Sequence, residues 1–79
     1  MRRFRIFVTG KAGIFDPAGK ASEDALEKLG YVTVENLRIG KLIDLECADS
    51  IELSQVEEMC TRFLANPVIE DFRIEEVNA

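Results

Sequence analysis

The sequence predicts an α+β fold with elements in the order β-α-β-β-α-β. Three observations carry that reading: period-2 apolar alternation at three places in the chain, two amphipathic helical stretches between them, and a turn signal at each junction. At 79 residues there is room for one domain, expected to span 1–79.

Residues 3 to 9 alternate, with Phe4, Ile6 and Val8 on one face and Arg3, Arg5, Phe7 and Thr9 on the other, as a half-buried strand requires. A loop over residues 10–15 follows. Asp16 is placed to cap a helix by accepting from the next turn's N–H groups, and Pro17 has the fixed φ and missing donor that suit a first helical position. Gly19 reads as a left-handed position. The helix is expected to bury Ala21, Ala25, Leu26 and Leu29, and Gly30 to end it in a left-handed cap.

Val32 and Val34 open a second strand in one phase, whereas Leu37, Ile39, Lys41, Ile43, Leu45 and Cys47 run in the other. The phase must slip near Glu35-Asn36, by a bulge or bend that re-aims Arg38. Gly40-Lys41 reads as a tight turn between two antiparallel strands. If it is not a turn, residues 36–47 form one long strand able to reach into a second subunit.

Leu53, Val56, Cys60, Phe63 and Leu64 share one face of a second helix, with Glu52, Gln55, Glu57, Glu58 and Arg62 elsewhere. Either Asp49 with Glu52 or Ser54 with Glu57 could form its capping box. Asn66 is expected to close it in a left-handed cap, and Pro67 cannot continue the ladder. Phe72, Ile74 and Val77 make a last strand, with Arg73 and Glu75 facing away. This is the split βαβ, or ferredoxin-like, plan. That plan hosts many functions, so it decides none.

The net charge of −5 is unevenly spread. Residues 1–43 carry eight Lys/Arg against five Asp/Glu, and residues 44–79 carry two against ten. Acidic faces repel phosphate backbones, which argues against nucleic acid and anionic membranes as partners. No apolar run approaches a membrane span, and Met1-Arg2-Arg3 leads straight into a strand, so a cytoplasmic location is expected.

Candidate chemistry is sparse. Cys47 and Cys60 have neither a redox nor a zinc spacing and the chain has no His, so buried free thiols are expected and no metal site. Gly13 through Gly19-Lys20-Ala21 has one residue too many for a phosphate loop, and Ala21 stands where a hydroxyl is needed. Where a base-stacking sheet would need aromatics, the strand offers Leu42, Ile43, Asp44, Leu45 and Glu46, which cannot stack and would repel phosphate. Adjacent carboxylates such as Glu57-Glu58 and Glu75-Glu76 diverge, and Glu70 is expected to hydrogen bond to the backbone of its own corner. Lys41 is expected to be solvated or paired. No catalytic or cofactor-binding residue is assigned. Asp16, Pro17, Gly19, Gly30, Gly40, Asn66 and Pro67 are structural turn residues; Arg38, Lys41, Glu70 and Phe72 are candidate interface residues.

Four segments in register resemble one family. They are Lys11-Ala12-Gly13-Ile14-Phe15-Asp16-Pro17-Ala18-Gly19, Ala25-Leu26-Glu27-Lys28-Leu29-Gly30-Tyr31, Arg38-Ile39-Gly40-Lys41, and Met59-Cys60 with Leu64-Ala65-Asn66-Pro67-Val68-Ile69-Glu70-Asp71-Phe72. The chain resembles, over residues 4 to 76, phosphoribosylformylglycinamidine synthase subunit PurS. The resemblance implies a non-catalytic adaptor in de novo purine biosynthesis, bridging the synthetase subunit PurL and the glutaminase subunit PurQ. Glutamine-derived ammonia would then reach formylglycinamide ribonucleotide, with ATP and magnesium on the large partner and no cofactor on this chain. It also implies a homo-oligomer, a segment-swapped dimer or a tetramer. Two other classes fit the fold: a small-molecule-binding regulatory module, and an enzyme of the acylphosphatase type, whose Arg-lined phosphate loop is not visible.

Overall fold

The strongest alternation in the chain occupies the middle of the sheet. In the computed structural model, which describes residues 1–77, β1 (Arg2–Gly10) pairs antiparallel on both edges, with β2 (Lys41–Cys47) and β3 (Glu70–Val77), in the order β2-β1-β3. Phe4, Ile6 and Val8 are fully buried on one face. The register sets Ile6 between Ile43 and Ile74, and Val8 beside Phe72, so the core is built in cross-strand rows. Val77 lies opposite Arg3 and so shares the outer face rather than the face of Phe72 and Ile74.

A helix covers the core face. α2 (Leu53–Met59) continues into a π-helical turn over Cys60–Leu64, and Val56, Cys60 and Ala65 complete the buried cluster. Its start differs from both expected boxes: Glu52 is the cap, and its N–H donates to the Gln55 side chain at 2.9 Å. Its end differs as well. The chain leaves the helix through an extended Ala65 (φ −130°), and Asn66 does not take a left-handed conformation. Instead the Asn66 side chain accepts from the Val68 N–H at 3.1 Å, turning the chain with its own carbonyl.

The π turn also overturns one expected burial. The Ala65 N–H reaches back five residues to the Cys60 carbonyl at 2.9 Å, so the turn holds more residues than an α-helical one and rotates Phe63 out of the apolar stripe. Phe63 is 88% exposed. Cys60 and Cys47 are free thiols, the first buried and the second half-buried, and burial pushes the Cys60 thiol up.

α1 (Pro17–Lys28) forms where its caps require it. The Asp16 side chain accepts from the Gly19 N–H at 2.9 Å, and Pro17 opens the first turn. Past Leu29 the Gly30 N–H donates to the Glu27 carbonyl and the Tyr31 N–H to the Leu26 carbonyl, both at 3.0 Å, with Gly30 at φ +100°. That is a Schellman cap, in which only glycine is free of strain. Yet Ala21, Ala25 and Leu29 are exposed, Leu26 is half-buried, and no apolar residue of α1 joins the core.

The expected strand at Val32-Val34 is not formed within the chain; these residues are exposed and carry no ladder. The sheet therefore has three strands instead of four. Nor is Gly40-Lys41 a hairpin turn, since the segment before it is irregular and β2 begins at Lys41. A strand needs a neighbour to bond to, and in one chain residues 31–34 have none. The expected bend is present: Asn36 is the one described non-glycine residue with positive φ, at 56°. Residues 17–40 thus make an arm that stands off the sheet. The radius of gyration is 15.9 Å, against about 11.6 Å for a compact chain of this length.

Because the core is so small, each of its side chains carries a large share of the stability. Ile6→Ala should lower the unfolding free energy by about 2–5 kcal/mol, read from urea midpoints at fixed protein concentration.

Candidate functional site

The three motifs that stand out in the sequence converge at one end of β1, where the arm joins the sheet. Asp16 sits at the centre. Its Oδ1 accepts from the Gly19 N–H and its Oδ2 from the Ile39 N–H at 2.8 Å, so one carboxylate ties the outgoing and returning strands of the arm together. These backbone donors, Gly19 first and then Ile39, hold its carboxyl below the usual carboxylate range, with Arg38 adding attraction from 3.9 Å. Arg38 reaches further, donating from Nη2 to the carbonyls of Gly10 at 2.9 Å and Lys11 at 3.0 Å. The bend at Asn36 does re-aim Arg38, and it aims it inward, at the end of β1.

The two central glycines serve close approach rather than backbone conformation. Gly19 is helical and buried, and a Cβ there would strike the Leu37 carbonyl and the Asp16 carboxylate. Gly19 is therefore not the left-handed position expected of it. A Cβ at Gly40 would strike the Val8 carbonyl.

The third motif closes the same end. Glu70, opposite Gly10 at the start of β3, accepts from the Asn66 N–H through Oε1 at 2.8 Å, while its own N–H donates to the Asn66 carbonyl at 2.7 Å. Pro67 occupies the turn inside this corner. The Lys11 N–H donates to the Ile69 carbonyl at 2.9 Å and the Lys11 amine pairs with Asp71 at 3.2 Å. The junction of loop 10–15, the arm and the 66–70 corner is thus a closed set of hydrogen bonds. Two small clefts open at it, one of about 160 Å³ between Ile14, Phe15, Arg38, Ile39 and Ile69 and one of about 190 Å³ between Phe15, Lys20, Glu23 and Asn36.

The candidate interface residues separate into two kinds. Arg38 and Glu70 are engaged by the chain's own backbone. Lys41 is exposed beside Val8 on the core face, with no side-chain partner among the described residues. Phe72, half-buried, lines a groove of about 440 Å³ with Leu53, Glu57, Thr61 and Ile74, between α2 and β3. Sequence reasoning missed Phe63, which is the most exposed large apolar side chain described. It also missed the arm's uncovered face, formed by Leu29, Tyr31 and Val32, each more than 60% exposed. This arrangement offers uncovered surfaces and a joint closed by hydrogen bonds. No helix among the described residues is long and apolar enough to cross a membrane.

Comparison with known proteins assigns these features to a family. Residues 3–78 match the family model PurS, described as phosphoribosylformylglycinamidine (FGAM) synthase. The PurS subunit of Bacillus subtilis is 41% identical over 83 residues, covering 100% of this chain and 99% of that protein. A crystal structure of B. subtilis PurS superposes with a TM-score of 0.87 at 39% identity, over 99% of this chain and 100% of that one. A chain of the Thermotoga maritima PurLQS structure does so with a TM-score of 0.84 at 30% identity, over 96% of each chain.

Two measurements test the junction. Gly19→Ala should destabilise the chain by about 1–3 kcal/mol although alanine is the better helix former, because the methyl group has no space. Asp16→Ala should speed hydrogen exchange at the Gly19 and Ile39 amides several-fold, with β1 amides less affected. A carboxyl held below its ordinary value contributes stability that is complete above about pH 3.9 and lost as the pH falls through the lowered value. Protection at those two amides should fall in that acid window, and the Asp16→Ala chain should lack this step.

Proposed function

Since the chain belongs to the PurS family of phosphoribosylformylglycinamidine synthase subunits, we propose that it is the non-catalytic adaptor of such a complex in purine biosynthesis, working in the cytoplasm. It would bridge a PurL-type synthetase and a PurQ-type glutaminase, with ATP and magnesium bound on the synthetase. Ammonia released at one active site is lost to solvent unless the second site is held in fixed register with the first. A small body with a hydrogen-bonded joint and broad uncovered surfaces suits that task without a nucleophile of its own.

The observation that carries this reading, beyond family membership, is the uncovered arm. The chain exposes 5903 Å², whereas a compact protein of its 8.9 kDa exposes about 4,800 Å². The excess of about 1,100 Å² exceeds the roughly 800 Å² that each partner buries in a stable interface. A homodimer in which each arm lies on the other copy would absorb it. α1 would then cover the half-buried Ile43 and Leu45 beside α2, and residues 31–39 would bond to the free edge of β2. Lys41, Phe63 and Phe72 would remain for contacts within or beyond the dimer.

Sedimentation at micromolar concentration should show a homodimer or a larger assembly with no folded monomer, and a stable monomer would reject the arm exchange. In a reconstituted mixture of synthetase and glutaminase, omission of this chain should abolish amidine formation from glutamine while leaving formation from added ammonia. Equal glutamine-dependent rates with and without the chain would reject the adaptor role.

A further inference from the structure

α2 covers only part of the sheet. A helix is about 10 Å across and strands lie about 4.8 Å apart, so one helix spans about two strands and leaves uncovered ground beside it on a three-stranded face. Leu53, Glu57 and Thr61 recur every four residues and line the groove against Phe72 and Ile74, so that flank of α2 faces β3. Glu57 and Thr61 each follow a buried residue, Val56 or Cys60, by one position, whereas Met59 and Phe63 follow the same two by three. At about 3.6 residues per turn these pairs lie on opposite flanks. Met59 and Phe63 therefore face the β2 side, where Ile43 and Leu45 are only half-buried. Met59 is half-buried there, and Phe63 is turned further out by the π turn to 88% exposure. Such turns are rare and recur at functional positions, and this one holds the most exposed large apolar side chain described.

We propose that Phe63 is a dimer contact, packed against α1 of a second copy that lies alongside α2 over β2. The proposal rests on the arm exchange above and specifies which side chain of α2 receives the arm. α1 has 12 residues and α2 with its π turn has 7 and 5, so two helices of about 18 Å run side by side over their full length. One side of α1 is already occupied by its own arm: Gly19 is buried close to the Leu37 carbonyl, and Glu23 accepts from the Leu37 N–H at 3.4 Å. Another side carries Ala21, Ala25 and Leu29, four residues apart and all exposed. An aromatic ring set against alanines lets two helices approach to ordinary packing distance. The contact continues from the β2 edge that residues 31–39 would occupy. It also draws on the same excess of about 1,100 Å², which is more than one side of a stable dimer buries.

Two measurements on the full chain test this. Phe63→Cys combined with Ala21→Cys or with Ala25→Cys should give a covalent dimer under a mild oxidant in at least one of the two pairings. Phe63→Cys alone should give none, nor should Phe63→Cys with Glu27→Cys, which lies off the apolar stripe of α1. Separately, Phe63→Glu should raise the dimer dissociation constant by roughly 30-fold or more, read by sedimentation over a concentration series, as for an aromatic anchor at an interface. Val68→Glu, at a side chain 78% exposed in the 66–70 corner, should leave that constant unchanged. A Phe63→Glu chain that dimerises like the wild type would overturn the proposal. So would the absence of both covalent dimers in chains that still dimerise, and this result decides the matter if Phe63→Glu does not fold. An intact Phe63→Glu dimer that no longer binds the synthetase and glutaminase would overturn it too, by assigning the ring to another subunit. A wild-type chain that sediments as a monomer would reject the arm exchange itself, and this inference with it.

Discussion

One face of one strand holds this molecule together. Phe4, Ile6 and Val8 are completely buried and sit in the one strand among the described residues with neighbours on both edges, so the other elements of the sheet and its covering helix are defined by how they cover or flank them. β2 and β3 supply half-buried rows on either side, and α2 with its π turn supplies the lid through Val56 and Cys60. Arg2 closes the far end, donating to the Ile51 carbonyl at 2.5 Å and to Glu76 at 2.9 Å while lying over the Phe4 ring. A core this narrow has no capacity left for a second helix. The arm stands away because nothing in its own chain can bury it.

At the opposite end of β1 the logic is polar. Asp16, Arg38, Asn66 and Glu70 spend their hydrogen-bonding capacity on backbone groups of loops that would otherwise have no partner, which is how irregular chain is held at fixed angles. An element can be uncovered and still be well aimed. The proposed adaptor role depends on the stiffness of this joint more than on the total stability.

Local rules made much of this legible in the sequence. The cap at Asp16, the proline behind it, the Gly30 stop and the alternation of β1 are each determined by residues within one turn or one strand, and each stands where those rules place it. The bend at Asn36 was visible as a slip of phase. What the sequence did not disclose was which chain does the burying. Val32 and Val34 alternate as a strand should, but period 2 states only that a face wants cover and is silent about whose. Phe63 escaped because a helical wheel assumes a constant number of residues per turn. Gly19 and Gly40 were recognised as obligatory, yet their reason is contact with the carbonyls of Leu37 and Val8, which depends on long-range packing and leaves no local mark.

The π turn over Cys60–Leu64 has a further consequence, best seen as a matter of chain length. A turn closed by a five-residue hydrogen bond accommodates one residue more than the α-helix it interrupts, without shifting the segments on either side. Removing Leu64 would restore an ordinary helix with Ala65 four residues and Phe63 three residues after Cys60, which keeps Cys60 and Ala65 in the core and returns the aromatic ring to the apolar stripe. The outward-facing phenylalanine is therefore separable from the fold. A change of one residue in chain length at that point would alter the surface while Cys60 and Ala65 stay in the buried cluster beneath it.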